Sequence, residues 1–309
     1  MRTPPLRLIA TGLLLAASPL PSLLAADLTT DPAAAPAVPL APPAPPAPAG
    51  PWTRGLKLGL YATSVYASNQ EASRDWTINS AAESFSVRAK GEGFVNWTRG
   101  KDTVENKLVL EYGQEKRDNP SGSTEWVENI DNIRYDGIYR RSFAKPHFIY
   151  LSWGDETSFT GPAPEEAILD PGRAWISAGY GQLYENMFPQ KDRLEWRLGV
   201  RGQQYYSFGA YDVENRFQVG PEAFLRYERT VNEHLYFFGQ YEGWSEFSDL
   251  GHVTNLITAG LTAKLAAGLT ADLSLRAYYE GRPNGAEGEP GYDQWSMRQD
   301  TLLGMSMEF

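Results

Sequence analysis

From Gly55 onward the apolar residues recur at every second position, and the segments carrying this period are joined by links of two alternating kinds. Leu194, Trp196, Leu198 and Val200 alternate with Glu195, Arg197, Gly199 and Arg201, and Phe217, Val219, Ala223, Leu225 and Tyr227 alternate with Arg216, Gln218, Glu222, Arg226 and Glu228. A period of two is the signature of strands with one apolar face. The pattern predicts strands over 55–67, 84–98, 104–115, 125–139, 147–155, 174–185, 193–206, 215–228, 234–246, 254–265, 270–280 and 294–309. Short links near Gly100, Arg141–Lys145, Phe188–Lys191, Thr230–Glu233 and Ala266–Gly268 alternate with links that are mostly longer and more polar, above all 68–81, 157–173 and 281–293. A soluble sandwich also alternates apolar and polar residues, but it has no reason to alternate short and long connections. A membrane barrel does, because its turns are short on one side and its loops long on the other.

The expectation is therefore an all-β, transmembrane, antiparallel up-and-down β-barrel of about twelve strands over residues 52–309. No apolar run after the first 26 residues approaches the roughly 20 that a membrane helix needs. Aromatics gather at the segment ends: Trp97, Phe143 and Phe188 by the short links, and Trp76, Tyr205, Tyr206, Phe208, Tyr211, Trp244, Phe247, Tyr278, Tyr279 and Trp295 by the long ones. These positions predict two interfacial girdles. Ahead of the barrel, Met1–Ala26 has Arg2 and Arg7, an apolar stretch from Leu8 to Ala17 and a small-residue end, the layout of a cleaved signal peptide. Residues 27–51 form a Pro/Ala-rich segment expected to be an extended periplasmic linker. Together these features place the barrel in a bacterial outer membrane, in contact with lipid and lipopolysaccharide.

The chain ends Leu303, Gly304, Met305, Ser306, Met307, Glu308, Phe309. Apolar Leu303, Met305, Met307 and Phe309 share one face, and the stretch resembles the C-terminal strand signature that the barrel-assembly machinery of outer membranes reads. Asn96–Asp102, Asn106–Gly113 and the closing segments 269–282 and 300–309 resemble the YdiY-like salt-induced outer-membrane proteins and related barrels of unknown function. That resemblance implies architecture and compartment, and it brings no catalytic residue with it.

Net charge is −10, from 38 acidic against 28 basic residues, and no Lys/Arg stripe could track phosphates, so nucleic acid is excluded as a partner. The absence of Cys removes thiolate chemistry and Cys-ligated zinc. The three His, at 147, 234 and 252, fall in separate segments without paired spacing, and no cofactor or metal is expected. Glu165, Glu166 and Asp170 form an acidic outer loop that reads as solubilising. The stretch 248–255 places His252 in an outer loop on the same face as Thr254, a poor match to the Ser–His–orienter set of a lipid hydrolase. No catalytic residue is assigned, and His252 is read as a solvated loop histidine.

The distinctive chemistry lies on the polar face. Alternation turns Glu128, Arg134, Asp136, Arg140, Glu195, Arg197, Arg201, Arg216, Glu222, Arg226, Glu228, Glu242, Asp272, Arg276, Glu280, Arg298 and Asp300 into the lumen. Such charges either line a narrow aqueous path for small polar solutes or pair across the interior and close it. Barrels near eight strands are filled and those of about 16 are open, so strand number does not choose. A channel, a non-conducting structural or stress-response barrel and a rim hydrolase are the three readings.

Overall fold

In a computed structural model, residues 50–69, 73, 75, 78, 84–118, 124–159, 172–187, 192–206, 217–266 and 268–309 are described. The signal segment, the linker up to residue 49, Arg216, the 165–170 acidic stretch, Trp76, Phe188, Phe208 and Tyr211 lie outside the described residues.

Period-two segments here become twelve strands: β1 Trp52–Ser68, β2 Ser84–Arg99, β3 Asp102–Asp118, β4 Thr124–Ala144, β5 His147–Thr157, β6 Gly172–Glu185, β7 Asp192–Tyr206, β8 Phe217–Asn232, β9 Leu235–Glu246, β10 Asp249–Ala266, β11 Leu269–Glu280 and β12 Trp295–Glu308. Each pairs antiparallel with the next, and β12 returns to β1, so the sheet closes without an edge. Two backbone bonds finish the seam, Leu56 N–H to Phe309 C=O at 3.2 Å and Phe309 N–H to Leu56 C=O at 2.8 Å. Strands run from 11 to 21 residues, at or beyond the roughly 9–11 that cross hydrocarbon. Between β2 and β3 the chain reverses through Gly100, whose φ of 63° suits glycine.

The solvent preference of the two faces is inverted relative to a soluble barrel. Leu56, Leu58, Leu60, Leu108, Ile149, Ile176, Leu198, Val200, Leu303, Met305, Met307 and Phe309 are all exposed on the outside, whereas the buried inner face carries Arg88, Glu115, Arg140, Glu156, Arg173, Glu195, Arg201 and Arg298. An apolar belt around a closed sheet is far larger than any patch a soluble monomer shows, and a closed antiparallel barrel is one of the two structures that satisfy their backbone in lipid. No helix among the described residues is long and apolar enough to cross a membrane. The chain crosses with its strands.

Three expectations are corrected. A register shift between Gly113 and Gln114 pairs Gln114 with Glu128, which puts Glu128 on the outer face beside Tyr112 rather than in the lumen. Tyr205, Trp244 and Tyr278, expected in a girdle, sit on the inner face, with Trp244 and Tyr278 about 5% exposed or less. Phe143, Phe247 and Trp295 are exposed on the outer face. The link after β9 is the tight turn Phe247–Ser248, and β10 begins at Asp249, so His252 belongs to a strand and not to a solvated loop. An irregularity between Asp249 and Val253 absorbs the extra residues.

Candidate functional site: the charged lumen

Cross-strand partners in a sheet point to the same side, so the pairings assign each side chain. Glu195 faces Arg226, Arg197 faces Phe224, and Arg193 faces Glu228 across β7 and β8. Glu242 follows on β9, and Asp272, Arg276 and Glu280 on β11, all on the same inner side as Arg134, Asp136 and Arg140 of β4 and Arg298 and Asp300 of β12.

Toward the short-turn end, Glu195 is 2% exposed and gathers three guanidiniums: Arg140 at 2.9 Å, Arg193 at 3.2 Å and Arg197 at 3.3 Å. Glu105 bridges two of them, at 2.7 Å from Arg140 and 3.1 Å from Arg193. Arg226 pairs with Glu228, which also accepts the Tyr236 hydroxyl at 3.1 Å. Along β2, β3 and β12 a separate set forms. Arg88 and Arg298 converge on Asp300 at 3.1 and 3.0 Å, and Lys90 holds Glu92 at 2.8 Å and Glu111 at 3.1 Å.

Higher up, Trp175 of β6 is the centre. Its ring lies over Gly154 of β5, where a Cβ would come within 2.2 Å of the indole. Three guanidiniums surround it, those of Arg201 at 4.9 Å, Arg134 at 5.4 Å and Arg173 at 5.6 Å from the ring centre, a cation–π arrangement. Arg134 bonds Glu242 at 2.9 Å, and Arg173 bonds the fully buried Glu156 at 2.7 Å.

Above this level Ser73, Asp75 and Ile78, from the link between β1 and β2, meet the inner wall. Asp75 accepts from Arg276 at 2.6 Å, Arg276 also reaches Glu156 at 3.4 Å, and Ser73 shares a 2.7 Å hydroxyl pair with Ser296 of β12. A turn with Ile78 N–H to Asp75 C=O at 3.0 Å aims Ile78 at Leu256 and Tyr278, where it is wholly buried. Below it two polar cavities extend. One, of about 580 Å³, runs from Glu233 and His234 to Arg276 and Glu156; the other, of about 470 Å³, runs from Glu105 and Arg193 to Trp175 and Glu222.

His252 is 7% exposed and faces the lumen. Its Nε2 lies 2.7 Å from Glu280, whose other oxygen accepts the Tyr278 hydroxyl at 2.6 Å, and Trp244 and Tyr292 meet the imidazole edge-on. Among the described residues no hydroxyl bonds either ring nitrogen. His147 sits on the outer face with Tyr180 and Gln182, and His234 is exposed in the β8–β9 turn. Among the described residues no group of three His, Asp or Glu side chains is placed to hold a metal.

Sequence reasoning passed over Arg88, Lys90 and Glu92 on β2 and Glu105, Lys107 and Glu111 on β3, although each trio recurs at even spacing and the same alternation marks it. It also passed over Glu156, Arg173 and Trp175. Nothing local marks Asp75 and Ile78.

Fold and lumen define a class: a twelve-stranded membrane barrel with a charged, partly occupied interior. Compared with known proteins, no family model and no curated sequence matches the chain. Solved structures with a similar fold include the NanC porin, at 9% identity and a TM-score of 0.41 over 80% of this chain and 98% of that one. A COG4313 outer-membrane channel from Pseudomonas putida F1 matches at 10% identity and 0.41 over 87% and 100%. The outer membrane phospholipase A from Escherichia coli matches at 12% and 0.37 over 81% and 92%.

Proposed function

We propose that this chain is an outer-membrane barrel that passes small hydrophilic solutes through a narrow, charge-lined lumen, with no chemical step. The observation that supports it is the pair of polar cavities running from the short-turn end to the Asp75–Arg276 level, walled by ionised side chains. So many charges are costly to desolvate and favour internal water. Export by the Met1–Ala26 segment, a linker over 27–51, membrane insertion guided by the Leu303–Phe309 strand and kinship with the YdiY-like barrels are parts of the same proposal.

A second reading, a non-conducting structural barrel, is favoured by one feature, the burial of Ile78 and Asp75 in the outer half of the lumen. The rim hydrolase lacks such support, since His252 is turned away from lipid. Conductance of the purified protein in planar bilayers separates the first two. Discrete current steps that grow when Asp75 is replaced by Asn support a channel; silence at all voltages in both proteins sinks it.

A further inference from the structure

We propose that the short-turn rim of β2–β5 is a binding site for the head group of an anionic phospholipid, held by Arg99, Lys101, Arg141 and Lys145 above a shelf of aromatic rings. The site lies on the outer face and is independent of conduction through the lumen.

The turns β2–β3 and β4–β5 are neighbours. Arg99 pairs with Asp102 across β2 and β3, Asp102 pairs with Arg141 across β3 and β4, and Ser142 N–H donates to the Lys101 carbonyl at 2.8 Å. Cross-strand partners share a face, and Arg141 also faces Ile149, an exposed member of the apolar belt. Arg99, Asp102 and Arg141 therefore form one outward row spanning two strand spacings, about 10 Å. Lys101 and Lys145 flank it in the turns, and all four cations are exposed. Asp102, the one carboxylate of the row, accepts the Tyr139 hydroxyl at 2.7 Å and lies 3.7 Å from Arg141. Arg99, Lys101 and Lys145 form no ion pair among the described residues. Four cations thus share a single carboxylate that is already engaged.

Toward the bilayer from this rim lies the shelf. The Phe143 ring, 54% exposed, stands 5.9 Å from His147 and 6.3 Å from Tyr180, and Tyr180 stands 5.6 Å from Trp196. Gln182 ties these rings together: its Nε2 donates to the Tyr180 hydroxyl at 3.1 Å, and its Oε1 accepts from Tyr184 at 2.6 Å and Trp196 at 3.2 Å. Rings of this kind sit at the head-group level of a membrane, and short turns of such barrels face the periplasm, so the four cations meet the periplasmic phospholipid leaflet. Each Lys or Arg beside an anionic lipid surface gains roughly fivefold in affinity. The charge balance selects the lipid. A phosphodiester without a cation satisfies the rim, whereas the ammonium of a zwitterionic head group finds only Asp102. A free phosphate would leave Phe143 bare. A second copy docked symmetrically would set these cations against their own equivalents.

The test is native mass spectrometry of the folded full chain in a non-ionic detergent, incubated with equimolar dioleoyl phosphatidylglycerol and dioleoyl phosphatidylcholine. The parent is expected to retain the glycerol lipid over the choline lipid at least about fivefold, and the double variant Arg141→Gln with Lys145→Gln is expected to lose most of that preference, roughly tenfold in affinity. Arg99→Gln with Lys101→Gln serves if the first pair does not fold. Arg282→Gln, which removes a cation on the long-loop side, is expected to leave the preference unchanged, and equimolar inorganic phosphate is expected not to displace the lipid. Equal retention of the two lipids by the parent, an undiminished preference in the rim variants, the same loss in Arg282→Gln, displacement by phosphate, or a lipid-free dimer each overturn the assignment.

Discussion

At the scale of single residues, the lumen is organised by carboxylates that each hold several guanidiniums. Glu195 is the plainest case, with Arg140, Arg193 and Arg197 within 3.3 Å. Removing one member of a buried ion set leaves the others uncompensated, a loss of about 3–5 kcal/mol. Glu195→Ala is therefore expected to unfold at clearly lower urea concentration in a detergent–urea titration followed by tryptophan fluorescence. A loss under about 1 kcal/mol, the range of exposed pairs, would show that water already solvates these arginines. The face of each such residue was legible because side chains alternate with a period of two. The partner was not: Arg140 and Glu195 lie 55 positions apart, and pairing at that distance depends on how the sheet curls. Glu128 was assigned to the wrong face for a related reason, since the irregularity opposite Gly113 shifts the register and leaves no mark in composition.

At the scale of elements, the strands were nearly all readable and the connections were not. Each predicted strand exists, and most of the differences are extensions, such as β10 starting at Asp249. The link from β1 to β2 looks like any polar outer loop, yet Asp75 bonds Arg276, 201 positions later, and Ile78 packs with Leu256 and Tyr278. Its destination is set by a distant wall. Ile78 is what anchors it, because a wholly buried aliphatic side chain contributes about 2–5 kcal/mol relative to Ala. Ile78→Ala is expected to free this segment while leaving the barrel folded, and trypsin cleavage after Arg74 in intact vesicles reports it. The variant should be cut several-fold faster than the parent; equal rates would mean that the Asp75–Arg276 pair suffices to hold the segment.

At the scale of the whole molecule, one seam decides whether there is a barrel at all. Phe309 exchanges two backbone bonds with Leu56, so deleting Phe309 removes the last rung between β12 and β1 and an exposed aromatic of the outer belt. The deletion is expected to reduce the heat-modifiable, folded band of membrane extracts on cold gels, with little change in total protein; an unchanged folded fraction would place closure elsewhere. The hydrogen-bonded wall is a hoop, and a hoop keeps its perimeter while it flattens. Several ion pairs instead run as chords between strands that are not neighbours: Arg193 of β7 to Glu105 of β3, Arg140 of β4 to Glu195 of β7, Arg134 of β4 to Glu242 of β9, and Arg276 of β11 to Glu156 of β5. These chords cross at different heights and bearings, so an oval distortion lengthens some of them whichever axis it takes. The charges thereby act as internal bracing, and the lateral pressure of the surrounding lipid meets a cross-section held in shape from within.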